Sequence, residues 1–381
     1  LKATMKIVFL HLYFSYRMFL NQIKLTNFKN YEDSEFDFSE KVNAIVGENG
    51  SGKTNLLDAI HYLSFCKSYF TSHDSLSIQF EKDFFAIHGE FIDFEDRRST
   101  KVGCTFKSPG RKVMKANQKE YNLLSDHIGL FPVIMISPYD HDIINEGSEM
   151  RRRFFDMIIS QFDKEYLQQL IKYQKLIVQR NSLLKKFIEE RSFDRSLLKI
   201  FDDQLIEPGN LIFQRRRDYI EEFIPYFQKY YASLSEGKEN VNIIYESGVS
   251  QQPIEEGFRN HEMADRKSGY TNFGIHKDDY LFTINERPVK RFGSQGQQKS
   301  YSIALKLSQF DYTRLQKRMK PILLLDDIFD KLDMNRISRL LELVGKDDVG
   351  QVFISDTNMS RVKEILEKNN IVCKMFTIER K

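Results

Sequence analysis

Residues 47–54 read Gly-Glu-Asn-Gly-Ser-Gly-Lys-Thr, a complete Gly-x4-Gly-Lys-Thr phosphate-binding loop of the Walker A type. The pattern suits one chemistry, the binding of a nucleoside triphosphate (ATP) with Mg2+. Its glycines let backbone N–H groups turn inward around phosphates, and a following helix N-terminus adds partial positive charge. Gly47, Glu48, Asn49, Gly50, Ser51 and Gly52 are expected to form the cradle. Lys53 would reach the β/γ-phosphates and act in catalysis, and the Thr54 hydroxyl would ligate Mg2+. The flanks fit. Val42–Val46 ahead of the loop reads as a short buried strand, and Leu57, Ile60 and Leu63 behind it recur at helical spacing.

Two further patterns complete a nucleotide site. Residues 322–327, Ile-Leu-Leu-Leu-Asp-Asp, read as a Walker B strand ending in carboxylates. Asp326 would hold Mg2+ directly or through water, and Asp327 would polarise the attacking water. About 30 residues earlier, Ser294, Gln295, Gly296 and Gln297 precede a helical stretch, in the form of an ABC signature motif. A helix N-terminus with a hydroxyl and a flexible glycine suits a γ-phosphate. In that class the signature completes the site of a second chain, so the order of motifs predicts ATP sandwiched in a homodimer. Asp330 to Asp333 is similar to a D-loop. Gln351–Ile354 leads to a switch position occupied by Ser355, Asp356 or Thr357 instead of the usual His. Asp327 stands where such ATPases carry Glu, and its shorter side chain predicts slow hydrolysis.

The elements that must position these groups are of two kinds. Residues from Leu20 alternate as strands, with further strands at 84–94, 100–106 and 133–136. From Glu149 to about Tyr231 apolar residues recur at threes and fours, which predicts a helical insertion with a break at Pro208-Gly209. Strands return at Val241–Tyr245 and Tyr280–Ile284. We therefore expect an α/β fold: an ABC/SMC-head-like P-loop ATPase domain from 18–144 and 237–381, with an inserted helical arm domain at 145–236.

With 381 residues, 41% of them hydrophobic, the chain is long enough for two domains. A net charge of +3 excludes a strongly basic binder, so any nucleic-acid surface must be a local patch. Cys66, Cys104 and Cys373 are widely spaced and suit a reducing cytoplasm. Residues 1–17, with the apolar run Ile7 to Phe14, read as an upstream extension ahead of Met18.

Four blocks together resemble the RecF family, bacterial recombination-repair ATPases related to SMC heads. They are Ile23-Lys-Leu-Thr-Asn-Phe-Lys-Asn-Tyr31, the Walker A loop with its helix, and the pair Ile136-Ser-Pro-Tyr-Asp140 and Arg151-Arg-Arg-Phe-Phe-Asp156. The last block joins Gly274-Ile-His-Lys-Asp-Asp279 and Pro288 to Lys299, leading into Asp327. The likeness spans about residues 18–375. It implies an ATP-dependent dimer that binds DNA at single-strand gaps or junctions and, with RecO and RecR, helps load RecA. Two departures stand out. The stretch after Walker A reads Lys67-Ser-Tyr-Phe70, so a phosphate contact there rests on Lys67, and no Q-loop glutamine is evident near Ser137–Asp140.

Candidate DNA contacts are Lys67, Arg111, Lys112, Arg151, Arg152 and Arg153, with Lys115 and Arg215 to Arg217 beside them. Successive helical residues point about 100° apart, so no arginine triplet makes one flat patch. Binding would be phosphate-driven and salt-sensitive. His276, Asp278 and Asp279 would shape the loop beside the nucleotide or bind DNA. Rival readings are the ATP-binding subunit of a membrane transporter, which would want a switch histidine, and an ATP-gated nuclease, which would want a further acidic metal cluster.

Overall fold

The computed structural model describes residues 16–235, 237–329 and 349–379. The first stretch holds β1 (Tyr16–Phe28), β2 (Tyr31–Asp37), β3 (Val42–Val46), α1 (Lys53–Phe65), β4 (Phe84–Asp93), β5 (Ser99–Lys107), β6 (Lys112–Ala116) and β7 (Val133–Ile136). Next come α2 (Ser148–Phe162), α3 (Lys164–Glu189), α4 (Arg195–Ser235), β8 (Val241–Glu246), α5 (Ile254–Ser268), β9 (Asp279–Ile284) and α6 (Gln295–Lys317). These are followed by β10 (Ile322–Leu325), β11 (Val352–Asp356), α7 (Met359–Lys368) and β12 (Cys373–Thr377). The chain divides into two compact units, residues 1–139 with 309–381 and residues 140–308. This is the α/β architecture expected, joined to a helix-rich unit.

In the first unit, β12, β3, β11, β10 and β7 form one parallel sheet in that order. Every residue of β3, β7, β10 and β11 is buried. A parallel sheet is covered on both faces, which is why these strands read as unbroken apolar runs without alternation. The register pairs Ala44 with Ile354, Ile354 with Leu325, and Leu325 with Ile136. It therefore brings the C-terminal ends of β3, β11, β10 and β7 to one edge, where open α/β sheets bind ligands.

The second sheet of this unit is antiparallel, with β1 between β2 and β4, and β5 and β6 beyond β4, apart from a short parallel pairing of the start of β1 with Met319–Lys320. A register shift between Leu20 and Gln22 lets Leu20 and Ile23 both point into the core despite their odd spacing. Two devices tie the sheets together. Gln351, fully buried, accepts from Leu20 N at 2.8 Å and donates to Leu20 O at 2.8 Å and Ser39 O at 2.7 Å. Phe38 packs edge-on against Phe353 and Phe376, with ring centroids 4.7 and 5.4 Å away.

In the second unit α3 and α4 pack along each other, and each buries an apolar face: Leu167, Leu170, Tyr173 and Leu176 in α3, and Leu205, Ile212 and Tyr219 in α4. The expected break at Pro208-Gly209 is corrected here: α4 is helical from Arg195 to Ser235, with Pro208 and Pro225 inside it. Proline costs a helix one backbone bond, but tertiary packing overrides it. A Cβ on Gly209 would come within 2.6 Å of Ile254 Cδ1, so the glycine serves close packing of α5.

The domain boundaries also lie elsewhere than expected, at 139/140 and 308/309 instead of 144/145 and 236/237. The reason is an aromatic core. The β8–β9 pair lies on the helices through Phe155–Tyr280 at 4.2 Å and Phe282–Tyr301 at 5.3 Å, while Phe227 meets Tyr301 at 4.6 Å. At the other end, β1 already includes residues 16 and 17 of the expected extension, and Arg17 O accepts from Phe94 N at 2.8 Å. Residues 1–15 and the D-loop-like segment 330–333 lie outside the described residues. Among the described residues no helix is long and apolar enough to cross a membrane.

Replacing Gln351 with Leu should lower stability by roughly 2–4 kcal/mol, because it strands the buried Leu20 N and Leu20 O, while Ser39 O keeps its bond from Asn43 Nδ2. A urea-unfolding midpoint that does not move would refute this account of how the sheets are joined.

Candidate functional site

The loop of residues 47–52 leaves the end of β3 and enters α1 at Lys53. Gly52 is the helix cap, with φ +116°, a conformation that a residue with a Cβ adopts only at a cost. No side chain caps this helix and its first turn holds no acid, so its leading N–H groups point into the loop. Lys53 is buried, and its Nζ donates to Gly47 O at 2.9 Å and Glu48 O at 3.1 Å. Ser51 Oγ is buried with no hydrogen-bond partner. A buried ammonium, an uncapped helix start and an unsatisfied hydroxyl are what a phosphate cradle needs.

Two residues absent from the expected set hold this loop in shape. Asn30 Nδ2 donates to Ser51 O at 2.9 Å, and Tyr31 OH donates to Gly52 O at 3.1 Å. Asn55 in α1 donates to Asn30 Oδ1 at 2.8 Å, closing the bracket from the helix side. The turn between β1 and β2 thus fastens the exit of the cradle. In the sequence, Asn30 and Tyr31 close the first of the family-like blocks, which carries no mechanism on its own.

The Walker B end meets the loop directly. Thr54 Oγ1 donates to Asp326 Oδ1 at 2.9 Å, and Ser355 Oγ donates to the same oxygen at 2.8 Å. Asp326 N donates to Ile136 O at 2.9 Å, fixing its backbone to the neighbouring strand β7. Asp327 N donates to Ser355 Oγ at 3.0 Å, and Asp327 has a left-handed backbone, φ +43°. Of the three switch candidates, Ser355 is the one in contact with the acids. Asp356 is turned to Arg361, which donates two bonds at 2.6 and 2.8 Å, and its carbonyl accepts from Gly47 N at 3.3 Å.

Hard oxygen donors suit Mg2+, and Thr54 Oγ1 with Asp326 provides them at the mouth of the cradle. Burial lifts the Asp326 carboxyl to about 6, with Asp327 adding repulsion, while the Ser355 and Thr54 hydroxyls and Lys53 pull it down. A carboxyl disfavoured as an anion is one that a cation would restore.

The signature residues form the start of α6. Ser294 Oγ accepts from Gln297 N at 3.2 Å, and Ser294 N donates to Gln297 Oε1 at 2.6 Å, a reciprocal capping box. Gln297 Nε2 donates to Glu239 at 2.5 Å. Ser294 and Gln295 are exposed, with Gly296 and Gln297 half-buried behind them. These residues belong to the second unit and the Walker motifs to the first.

Most of the candidate DNA contacts also have partners within the chain. Lys112 is mostly buried and pairs with Asp74 at 2.8 Å beside Tyr62. Arg151 makes two bonds to Asp279, at 2.7 and 2.9 Å, and Arg152 donates to Asp278 O at 2.6 Å. Arg111 reaches Glu120 at 2.8 Å but stays exposed, as do Lys67, Lys115 and Arg153. Within the second triplet, Arg216 is buried against Asp156 at 2.9 Å and Asp278 at 3.1 Å, and Arg215 pairs with Asp163 at 3.1 Å. The acids of the 274–279 block are therefore counter-charges within the second unit. His276 is buried too: Tyr173 OH meets its Nδ1 at 3.1 Å, Thr271 O meets its Nε2 at 3.0 Å, and burial lowers it to about 4. It is a neutral brace.

The chain matches the RecF/RecN/SMC N-terminal domain family over residues 19–380. A "DNA replication and repair protein RecF" from Flavobacterium johnsoniae is 45% identical over 361 residues, 95% of this chain and 100% of that protein. The solved structure of "the recombination mediator protein RecF-ATP in RecFOR pathway" superposes with a TM-score of 0.85 at 33% identity, covering 92% of this chain and 95% of that one. An Smc head domain from Pyrococcus furiosus has a TM-score of 0.54 at 16% identity, covering 96% of this chain and 94% of that one, a likeness of fold.

The raised Asp326 carboxyl carries a stability signature. Its folded value, about 6, exceeds its unfolded 3.8, so its contribution is complete below pH 4 and is lost as pH rises through 6. Asp326→Asn should therefore stabilise the metal-free protein by roughly 2 kcal/mol at pH 7.5 and by almost nothing at pH 4. Thermal melts at the two pH values check it; equal gains at both would contradict the assignment.

Proposed function

The chain belongs to the RecF family of DNA replication and repair proteins, and from that premise we propose that it is a DNA-binding ATPase that dimerises on ATP. The observation that carries this reading is the meeting of Thr54 Oγ1 and Asp326 Oδ1 at 2.9 Å across 272 residues of chain. It supports one functional unit made of both Walker motifs.

In this reading the cradle N–H groups and Lys53 take the β/γ-phosphates, and Lys53 exchanges its bonds to Gly47 O and Glu48 O for phosphate oxygens. Thr54 and Asp326 hold Mg2+, which neutralises phosphate charge when bound. Asp327 orients a water and accepts its proton as the oxygen attacks the γ-phosphoryl group. The bond to the β-phosphate oxygen then breaks, leaving ADP and phosphate. Ser294 and the exposed start of α6 supply the opposite wall from a second copy of the chain. ATP thereby acts as dimer glue, and its hydrolysis releases the pair. Asp in place of Glu at 327 makes turnover slow, with DNA as the stimulus.

DNA is engaged through phosphates at single-strand gaps or junctions. Exposed Lys67, Arg111 and Arg153 remain the contacts proposed, since Lys112, Arg151 and Arg152 are partly buried against internal partners. The solved relative is a recombination mediator in the RecFOR pathway. By that analogy, partnership with RecO and RecR and help in loading RecA, in the cytoplasm, complete the proposal.

Light scattering with ATP, with ADP, and with ATP plus gapped DNA tests it. A dimer is expected with ATP and a monomer with ADP; a monomer under all three conditions would sink the two-copy site. Asp327→Asn should retain ATP binding while lowering turnover about 100-fold or more. Turnover at the wild-type rate would remove Asp327 from the catalytic role.

A further inference from the structure

We propose that Ser355 is the positioning residue of the hydrolytic site: its hydroxyl sets the geometry of both Walker B acids at once. The proposal rests on the ATPase reading above and deepens it. Ser355 lies at the end of β11, the strand between β3 and β10, so it faces the seam where loop and acids meet. It is fully buried. Its O–H donates to Asp326 Oδ1 at 2.8 Å, and its lone pair accepts from Asp327 N at 3.0 Å.

Only a hydroxyl does both jobs from one atom, because it is donor and acceptor together. Toward Asp326 it is the second hydroxyl on one oxygen, opposite Thr54 Oγ1 at 2.9 Å. Two donors on Oδ1 lock the rotation of that carboxyl. Toward Asp327 it holds an N–H in place while the residue sits at φ +43°, a region that L-residues with a Cβ avoid. Strain of this kind persists only where the surroundings over-determine it. Here the surroundings include the Ser355 bond on one side and the Asp326 N bond to Ile136 O, 2.9 Å, on the other. Without the hydroxyl, the Asp327 N–H loses this bond, and its carboxylate is less well aligned with an attacking water. The phosphate cradle, built from Gly47 to Lys53 with Asn30 and Tyr31, does not depend on Ser355. The defect should therefore fall on the chemical step and spare binding.

Ser355→Ala is the test, measured by steady-state turnover with the full-length protein. We expect kcat to fall about tenfold or more while KM for ATP stays within about threefold. Adding Ser355→Ala to Asp327→Asn should change the residual rate by less than about twofold, since the serine acts through that acid. A wild-type kcat, a rise in KM in step with the rate loss, or a full further tenfold loss in the double variant would each overturn the proposal. If Ser355→Ala does not fold, Ser355→Cys replaces it, with the same expectations. A wild-type protein that binds ATP without turnover would defeat the ATPase reading instead. The Mg2+ needed for half-maximal ATP binding then decides: a higher requirement in the variant supports the Ser355 role, and an unchanged one overturns it.

Discussion

One carboxylate oxygen, Asp326 Oδ1, receives the hydroxyls of Thr54 and Ser355 at 2.9 and 2.8 Å. Three strands end at this point: β3 through the loop and Thr54, β10 through Asp326, and β11 through Ser355. Much of the first unit serves to make that meeting possible. The parallel register aligns the strand ends, full burial of the strands makes the sheet rigid, and Gln351 with the Phe38–Phe353–Phe376 seam holds the second sheet against it. A site assembled from such distant segments is as good as the register that brings them together, because a one-residue slip would turn each side chain to the opposite face.

The second unit solves a different problem, that of charge inside a helical core. Arg180 and Arg216 are among its largest fully buried side chains. Arg180 is met by Asp265 and Asp202, each at 2.7 Å, and Arg216 by Asp156 and Asp278. Removing one partner from such a pair leaves a buried charge uncompensated, which is far costlier than losing a surface pair. These contacts account for the basic and acidic runs that looked like ligand-binding motifs. The arginines of the 151–153 and 215–217 runs face different ways along their helices, as the helical rotation requires, and the buried ones hold the unit together.

Legibility followed the range of the physics. Strands β3, β7 and β10 and helix α1 were plain in the chain because buried runs and 3.6-residue periodicity are local properties. The P-loop was plain because its chemistry needs contiguous residues. The fastening of that loop by Asn30 and Tyr31 was not, since nothing in those two residues states which carbonyls they will meet. The continuity of α4 through Pro208 was hidden as well: local propensity argues for a break, and packing against Ile254 and Tyr173 overrules it. Likewise, the placement of residues 237–308 with the helices rests on aromatic contacts such as Phe155–Tyr280, which no composition shift records.

Taken by itself, the amino-acid sequence determined the ligand class, the fold class and the family, because a glycine loop, two acids after an apolar strand and a capped helix start must be written out in consecutive residues. Tertiary structure alone decided which charges are buried and which are exposed. Asp279 and Asp74 claim Arg151 and Lys112, while Arg153 and Lys67 stay at the surface. It also decided that Ser355, among three adjacent candidates, touches the acids. The physical reason is the same in each case: hydrogen bonds and ion pairs act over about 3 Å in space, and only folding turns hundreds of residues of separation into that distance.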